Sequence, residues 1–319
     1  MSKAFRIGLL GVGPMAAQHA RAIRAVPGLE LTASVSRDPA KAQAFAAKHQ
    51  IARSAGLAEF LDAPGVDGIY VVVPAEAMHS VAAELAKLAI PLFLEKPVGM
   101  TPAETRWARD CITVPHMVGM NRRFYEIVQR GKKLLDERGG ATGIEIHMPE
   151  SIRPLDQRYG SHVLENWMFG NSIHLIDMFR FFAGEPTEVS AMRRQRSWHD
   201  LSVVASLAFE SGALGVFHAH WGAPGGWRVA VTAEDIQIVF QPIERATVLV
   251  RGKESIVMTP TGQDSQLKAG LFGEAEAFAG LIATGRLRSP AADLADYARS
   301  VDLVERIFGG QVAIPEVGR

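Results

Sequence analysis

The chain has 319 residues, 48% of them apolar and 21% charged, which is ordinary for a soluble globular protein and long enough for two domains. Its 34 Lys and Arg balance its 34 Asp and Glu, so the zero net charge gives no electrostatic case for a nucleic-acid or membrane partner. The single cysteine, Cys111, excludes an intrachain disulfide and fits a cytoplasmic protein, no apolar run is long enough to span a membrane, and Met1-Ser2-Lys3-Ala4 leads into the first apolar run without room for a signal peptide.

Phe5 to Leu10 reads as a buried parallel strand and Ala16 to Val26 as a helix. The turn between them is Gly11-Val12-Gly13-Pro14-Met15-Ala16. A glycine-rich strand-to-helix turn lets a pyrophosphate sit on free backbone N–H groups at a helix N-terminus. Gly11 would make the tight turn and Gly13 would admit the phosphate. Ala16 fills the third, small position, and Pro14 and Met15 complete the turn. Such a string alone also describes an ordinary turn; with this strand and this helix around it, the reading is a dinucleotide site.

Leu29 to Val35 is a second strand, ending at Ser36-Arg37-Asp38. An NAD site typically places a carboxylate here for the ribose hydroxyls, whereas an NADP site avoids that charge and offers arginine. Ser36 takes the place of the acid and Arg37 follows, so NADP(H) is favoured over NAD(H). Asp38 is explained as the N-cap of a helix opening at Pro39 and running through Lys48. Gly68 to Val73 is a strand closed by Pro74. Ala77 to Leu88 is a helix, and its His79 is expected, with Pro74, to line the cofactor crevice. Pro91 to Leu94 is a strand ending at Glu95-Lys96-Pro97. Thr101-Pro102-Ala103-Glu104 is a capping box, and His116 to Met120 is a further strand. This β-α alternation predicts a parallel sheet covered on both faces.

After about Arg123 the pattern changes. A helix over Tyr125 to Glu137 is broken at Gly139-Gly140, and strand-like segments follow: Gly143 to Met148, Glu188 to Arg194, Leu201 to Phe209, Ala213 to His220, Arg228 to Thr232, Ile236 to Phe240 and Ala246 to Val250. A helix over Ile173 to Ala183 interrupts them, and two more near Glu274 to Thr284 and Leu294 to Phe308 close the chain. Glycine turns such as Glu210-Ser211-Gly212 between consecutive strands suggest an antiparallel or mixed sheet.

Three motifs join the glycine turn in order: Glu95-Lys96-Pro97, Gly119-Met120-Asn121-Arg122-Arg123-Phe124, and Asn171-Ser172-Ile173-His174-Leu175-Ile176-Asp177. With them the whole chain resembles the glucose–fructose oxidoreductase / inositol dehydrogenase / rhizopine catabolism (Gfo/Idh/MocA) family, NAD(P)-dependent dehydrogenases of sugars, cyclitols and sugar nucleotides. The resemblance implies an α/β chain: an N-terminal Rossmann domain with a doubly wound parallel sheet over residues 1–122, then a C-terminal α+β domain with a large mixed or antiparallel sheet over 123–319. That second domain is expected to bind substrate and form a homodimer or homotetramer through its sheet.

Lys96 stands at the carboxyl end of a parallel strand, where open α/β sheets place ligands. The resemblance brings it to both nicotinamide and substrate hydroxyl, where a cation stabilises developing alkoxide charge. The neighbouring Glu95, and Asn121 beyond the last strand, join the expected cofactor set. His174 shares a helix face with Asp177; it is either a surface pair without chemistry or the general acid/base. The family often carries an aspartate four residues before this histidine. Here that position is Gly170, which can neither orient an imidazole nor take a proton, so Asp177 or Asn171, and then Glu165, are the candidate partners. Arg122, Arg123 and Tyr125 at the domain junction are candidates to grip a substrate carboxylate or phosphate, although arginine there could equally pin the domains. Arg153, Arg158 and Tyr159 form a candidate substrate loop, with Asn171 and His174 completing the substrate set. No metal-ligand spacing occurs.

The leading expectation is hydride transfer between nicotinamide and a hydroxyl or ketone of a sugar derivative, in a setting such as surface-polysaccharide metabolism. The alternatives are a lyase or glycosidase using transient oxidation by bound cofactor, and a catalytically silent NADP-binding regulator or scaffold, which Gly170 motivates.

Overall fold

The computed structural model describes residues 4–152, 155, 159–197 and 199–309. In chain order the first elements are β1 (Phe5–Leu10), α1 (Pro14–Ala25), β2 (Leu29–Ser36), α2 (Pro39–Lys48), β3 (Arg53–Gly56), α3 (Leu57–Asp62), β4 (Gly68–Val71), α4 (Ala75–Ala86), β5 (Leu92–Leu94), α5 (Pro102–Cys111) and β6 (His116–Val118). They are followed by α6 (Glu126–Asp136), β7 (Gly143–Glu150), α7 (Ser161–Glu165), α8 (Ile173–Ala183), β8 (Pro186–Ser197), β9 (Asp200–Phe209), β10 (Leu214–Trp221), β11 (Arg228–Thr232), β12 (Ile236–Phe240), β13 (Ala246–Val250), β14 (Ile256–Met258), α9 (Leu271–Thr284) and α10 (Leu294–Phe308).

The first six strands form one parallel sheet in the order β3-β2-β1-β4-β5-β6. This is the doubly wound order. The order of strand addition reverses between β1 and β4, so their carboxyl ends border the crevice in which such sheets bind ligands. β4 and β5 are buried along their whole length, as expected of strands covered by helices on both faces. The helices begin where local chemistry dictates. The Asp38 carboxylate accepts from the backbone N–H of Ala40 and Lys41 at the start of α2. Thr101 Oγ1 accepts from Glu104 N, and the Glu104 carboxylate in turn takes Met100 N.

Two compact units emerge: Met1–Phe124 with Gly262–Ala298, and Tyr125–Thr261 with Arg299–Arg319. A single cut at residue 122 therefore misses a return. The segment carrying α9 belongs with the first unit, where Phe278 and Leu281 pack into the same core as Ile7, Tyr70 and Phe93, and Val118 bridges to Ala292. α10 contributes its first turns to the first unit and the rest to the second.

In the second unit eight strands form a mixed sheet in the order β14-β13-β12-β11-β7-β10-β9-β8; β7 and β10 run parallel and every other pair is antiparallel. One face is covered. α8 is buried almost all round, and its Phe179 stacks on Phe209 and meets Phe217 edge-on. Close approach is possible because β10 carries Gly215 there; a Cβ would lie 2.9 Å from the Phe179 ring. The opposite face is open and carries Leu214 and Val216, 66% and 49% exposed, beside exposed Met192 and Val204. Among the described residues no helix is long and apolar enough to cross a membrane.

Candidate functional site

The glycine turn has the shape a dinucleotide needs. Gly11 has φ +124°, and a Cβ there would stand 2.0 Å from the Val72 carbonyl oxygen. Only glycine fits, because the chain leaving β4 passes directly beside the turn. Gly13 differs: a Cβ there would meet nothing within 4 Å. That open side, with the first-turn N–H groups of Met15 and Ala16 that no helical carbonyl can reach, fits a pyrophosphate. Pro14 sits at N1 of α1, where its missing N–H costs nothing, and Ala16 is buried against the sheet.

At the end of β2, Ser36 Oγ accepts from Asp38 N at 3.2 Å, Arg37 is exposed, and Asp38 is occupied as the α2 cap. Among the described residues, the one carboxylate at this strand end is thus Asp38, which caps α2 through Oδ1 and faces Lys41 through Oδ2.

β5 delivers Glu95 and Lys96. The Glu95 carboxylate accepts from Nε2 of His19 at 2.7 Å, and His19 lies on the buried face of α1 with its ring against Tyr70 and Phe93. Burial pushes the Glu95 carboxyl up, but the His19 hydrogen bond and the charges of His19, Lys96 and Lys268 outweigh it and hold the group below the usual carboxylate range. Nearby, on α9, Glu274 is 1% exposed and neither carboxyl oxygen has a hydrogen-bond partner. Burial first, and then the Glu95 charge, push it well above the usual range, against the pull of Arg122 and Lys268. Two carboxyls thus lie near the carboxyl end of β5, Glu95 held down and Glu274 pushed up. His19 was findable from sequence, three residues after Ala16 on the apolar face of α1; Glu274 was not, because a return of the chain brings it there.

Several sequence candidates are placed differently from expectation. Arg123, offered for substrate, is buried in an ion pair with Asp296 at 2.6 Å, which ties α10 to the first unit. Tyr125 is buried in the core of the second unit. His79 packs edge-on against Trp107 of α5, within the helical layer and not at the strand ends, whereas Pro74 is exposed at the start of α4. Asn121 donates its side-chain N–H to the Ala269 carbonyl at 3.2 Å, and its oxygen accepts from Arg122 at 2.9 Å. Arg153 and Arg158 lie outside the described residues.

In the second unit His174 is 5% exposed near the start of α8, so it is not half of a surface pair. Residues Met168–Ser172 wind in one wide π-helical turn directly before it, with Gly170 inside that turn. Wide turns of this kind recur at functional sites. The two groups expected beside the imidazole each hold other partners. Asp177 accepts from Ser300 Oγ at 2.6 Å and lies 3.8 Å from Arg180, while the Asn171 amide donates to Glu150. Glu150, at the carboxyl end of β7, also accepts from Trp167 Nε1 at 3.0 Å, and Tyr159 lies over the Trp167 ring at 5.5 Å. Neither Glu150 nor Trp167 was singled out in the sequence, because neither sits in a motif. Among the described residues no group of His, Cys, Asp and Glu is arranged to hold a metal ion.

Comparison with known proteins agrees with this architecture. Residues 5–113 match the oxidoreductase family with an NAD-binding Rossmann fold, and residues 139–239 match the GFO/IDH/MocA C-terminal domain. The scyllo-inositol 2-dehydrogenase (NAD(+)) of Bacillus subtilis is 26% identical over 71% of this chain and 70% of that enzyme. The rhizopine catabolism protein MocA of Rhizobium meliloti is 32% identical, over 44% of each chain. A dehydrogenase structure from Chromobacterium violaceum superimposes with a TM-score of 0.83 at 20% identity, covering 96% of this chain and 95% of that one, a likeness of fold. With both of its halves matched and the expected sheet order in place, the chain belongs to the Gfo/Idh/MocA family of oxidoreductases.

Proposed function

We propose that the protein transfers a hydride between a nicotinamide dinucleotide and a carbon bearing a hydroxyl or keto group in a sugar, cyclitol or sugar-nucleotide derivative. The observation carrying this is the glycine turn, closed on one side by Val72 at Gly11 and open on the other at Gly13. When bound, the nicotinamide supplies the hydride acceptor or donor. The chain's own groups do the rest. The α1 N-terminus holds the pyrophosphate, the Lys96 ammonium steadies negative charge on the substrate oxygen, and His174 takes or returns the hydroxyl proton. Screening NAD+ and NADP+ reduction at 340 nm against cyclitols, sugars and sugar nucleotides tests it; no reduction with any of them, and no oxidation of NADH or NADPH with the matching ketones, rejects it.

NADP(H) is proposed as the preferred cofactor, because Ser36 and exposed Arg37 stand where a ribose-binding acid would. The Bacillus relative is named for NAD(+), so the preference has to come from this chain's own strand end. Calorimetric titration should give tighter NADPH than NADH binding, and Arg37→Ala should narrow the gap by about tenfold, the scale of one charge-assisted hydrogen bond. Equal affinities, or an unchanged ratio in the variant, reject it.

The open sheet face is proposed as the contact for a second copy of the chain. Leu214 and Val216 form its apolar centre, in line with β-strand neighbours Ala208 and Ser206. Val216→Arg is expected to give monomers by light scattering where the unaltered protein gives dimers or tetramers; a monomeric unaltered protein rejects the assignment.

A further inference from the structure

The segment that returns to the first unit carries a cation to the glycine turn. Lys268 Nζ lies 3.1 Å from Sδ of Met15, the second residue of α1, across 253 residues of sequence. A thioether is a weak acceptor, so this contact marks a position more than it supplies energy. The Lys268 charge also acts on both Glu95 and Glu274. The ammonium therefore sits at the first turn of α1, and its charge is felt by Glu95 at the carboxyl end of β5.

The loop bearing it is fixed at three points. Asn121 donates to the Ala269 carbonyl at 3.2 Å, Asp264 accepts from Gly270 N at 2.9 Å, and Arg21 on α1 donates to the Gln266 carbonyl at 3.0 Å. Asn121 is itself buried. This is more anchoring than an exposed lysine needs merely to stay in solvent. Asn121 thus helps to hold this loop in place.

The electrostatics give the cation a purpose. A pyrophosphate brings two negative charges to a site whose own contribution is neutral N–H groups and a helix dipole. Glu95 is ionised nearby and would repel it. A lysine at this position offsets the carboxylate and adds a point charge of the kind that binds phosphate oxygens.

We propose that Lys268 is a phosphate-binding residue of the cofactor site, supplied by the returning C-terminal segment. The proposal rests on the reading that the glycine turn holds a nicotinamide dinucleotide. The test uses the full-length protein, with NADH, ADP and adenosine each titrated by calorimetry or fluorescence against the unaltered chain, Lys268→Ala and Lys268→Arg. The expected result is a roughly tenfold loss of NADH and ADP affinity in Lys268→Ala, the scale of one charge-assisted contact. Adenosine, which has no phosphate, should bind unchanged, and Lys268→Arg should keep most of the affinity. The salt dependence of ADP binding should flatten in the alanine variant. Unchanged NADH and ADP affinity in Lys268→Ala overturns the assignment while leaving the dinucleotide reading intact. An equal loss for adenosine overturns it too, because the residue would then be shaping the loop. Failure of the unaltered protein to bind NADH, NADPH and ADP overturns the dinucleotide reading and this proposal with it.

Discussion

Replacing Lys96 by alanine is expected to lower kcat/KM by about a thousandfold, because it removes the charge proposed to steady the substrate oxygen as the hydride moves. The expectation rests on how the residue is held. Leu92, Phe93 and Leu94 are fully buried, so β5 fixes the backbone from which Lys96 projects. Lys96 itself is partly exposed, as a group that meets ligand must be. The substitution should leave the fold in place, since no core contact is lost, and circular dichroism and the melting temperature should show it. NADH affinity should fall far less than turnover. One side effect follows from the charges: with Lys96 gone, one of the groups holding the Glu95 carboxyl down is lost, and Glu95 should take up a proton more readily. A folded, cofactor-binding variant with near-normal kcat/KM would refute the role.

What the sequence made legible was local. The glycine turn, the Asp38 cap, the Thr101 capping box and the bounds of α8 each follow from a few adjacent residues, and each is present. β3 was missed because Arg53-Ser54-Ala55-Gly56 offers no apolar run; it is a strand only because β2 supplies the partner. The larger misreading concerns distance. His19 meets Glu95 across 76 residues and Arg123 meets Asp296 across 173, and no periodicity encodes such pairs. For Arg123 the sequence left ligand binding and a structural pin equally open, because the partner that decides it, Asp296, lies in a helix far down the chain. The same return of the chain places Glu274 and Lys268 in the first unit, and a linear division at residue 122 does not show that. α8 is covered nearly all round, which its local sequence does not show, because Phe179 and Phe182 meet aromatic side chains on the sheet and Asp177 and Arg180 are paired with Ser300 and Glu185.

His174→Ala is expected to lower kcat/KM by about a hundredfold or more, the usual scale for losing a general acid/base. The imidazole is buried directly after a wide π-helical turn, a feature that recurs at functional sites. The usual aspartate is absent at Gly170. Asp177 is taken by Ser300 and Arg180, and the Asn171 amide by Glu150. With glycine at 170, no carboxylate stands four residues before the imidazole, which argues for a loss nearer the lower end of the general acid/base range than the upper. A pH profile separates this role from simple packing. The pH profile of kcat/KM for the unaltered enzyme should show a limb that His174→Ala lacks while keeping its melting temperature within a few degrees. His174→Gln, which preserves size and hydrogen bonding but cannot titrate, should behave like the alanine variant if the proton matters and like the unaltered enzyme if only packing does. Near-normal kcat/KM in both variants would remove His174 from the chemistry and leave Lys96 and solvent to carry the proton.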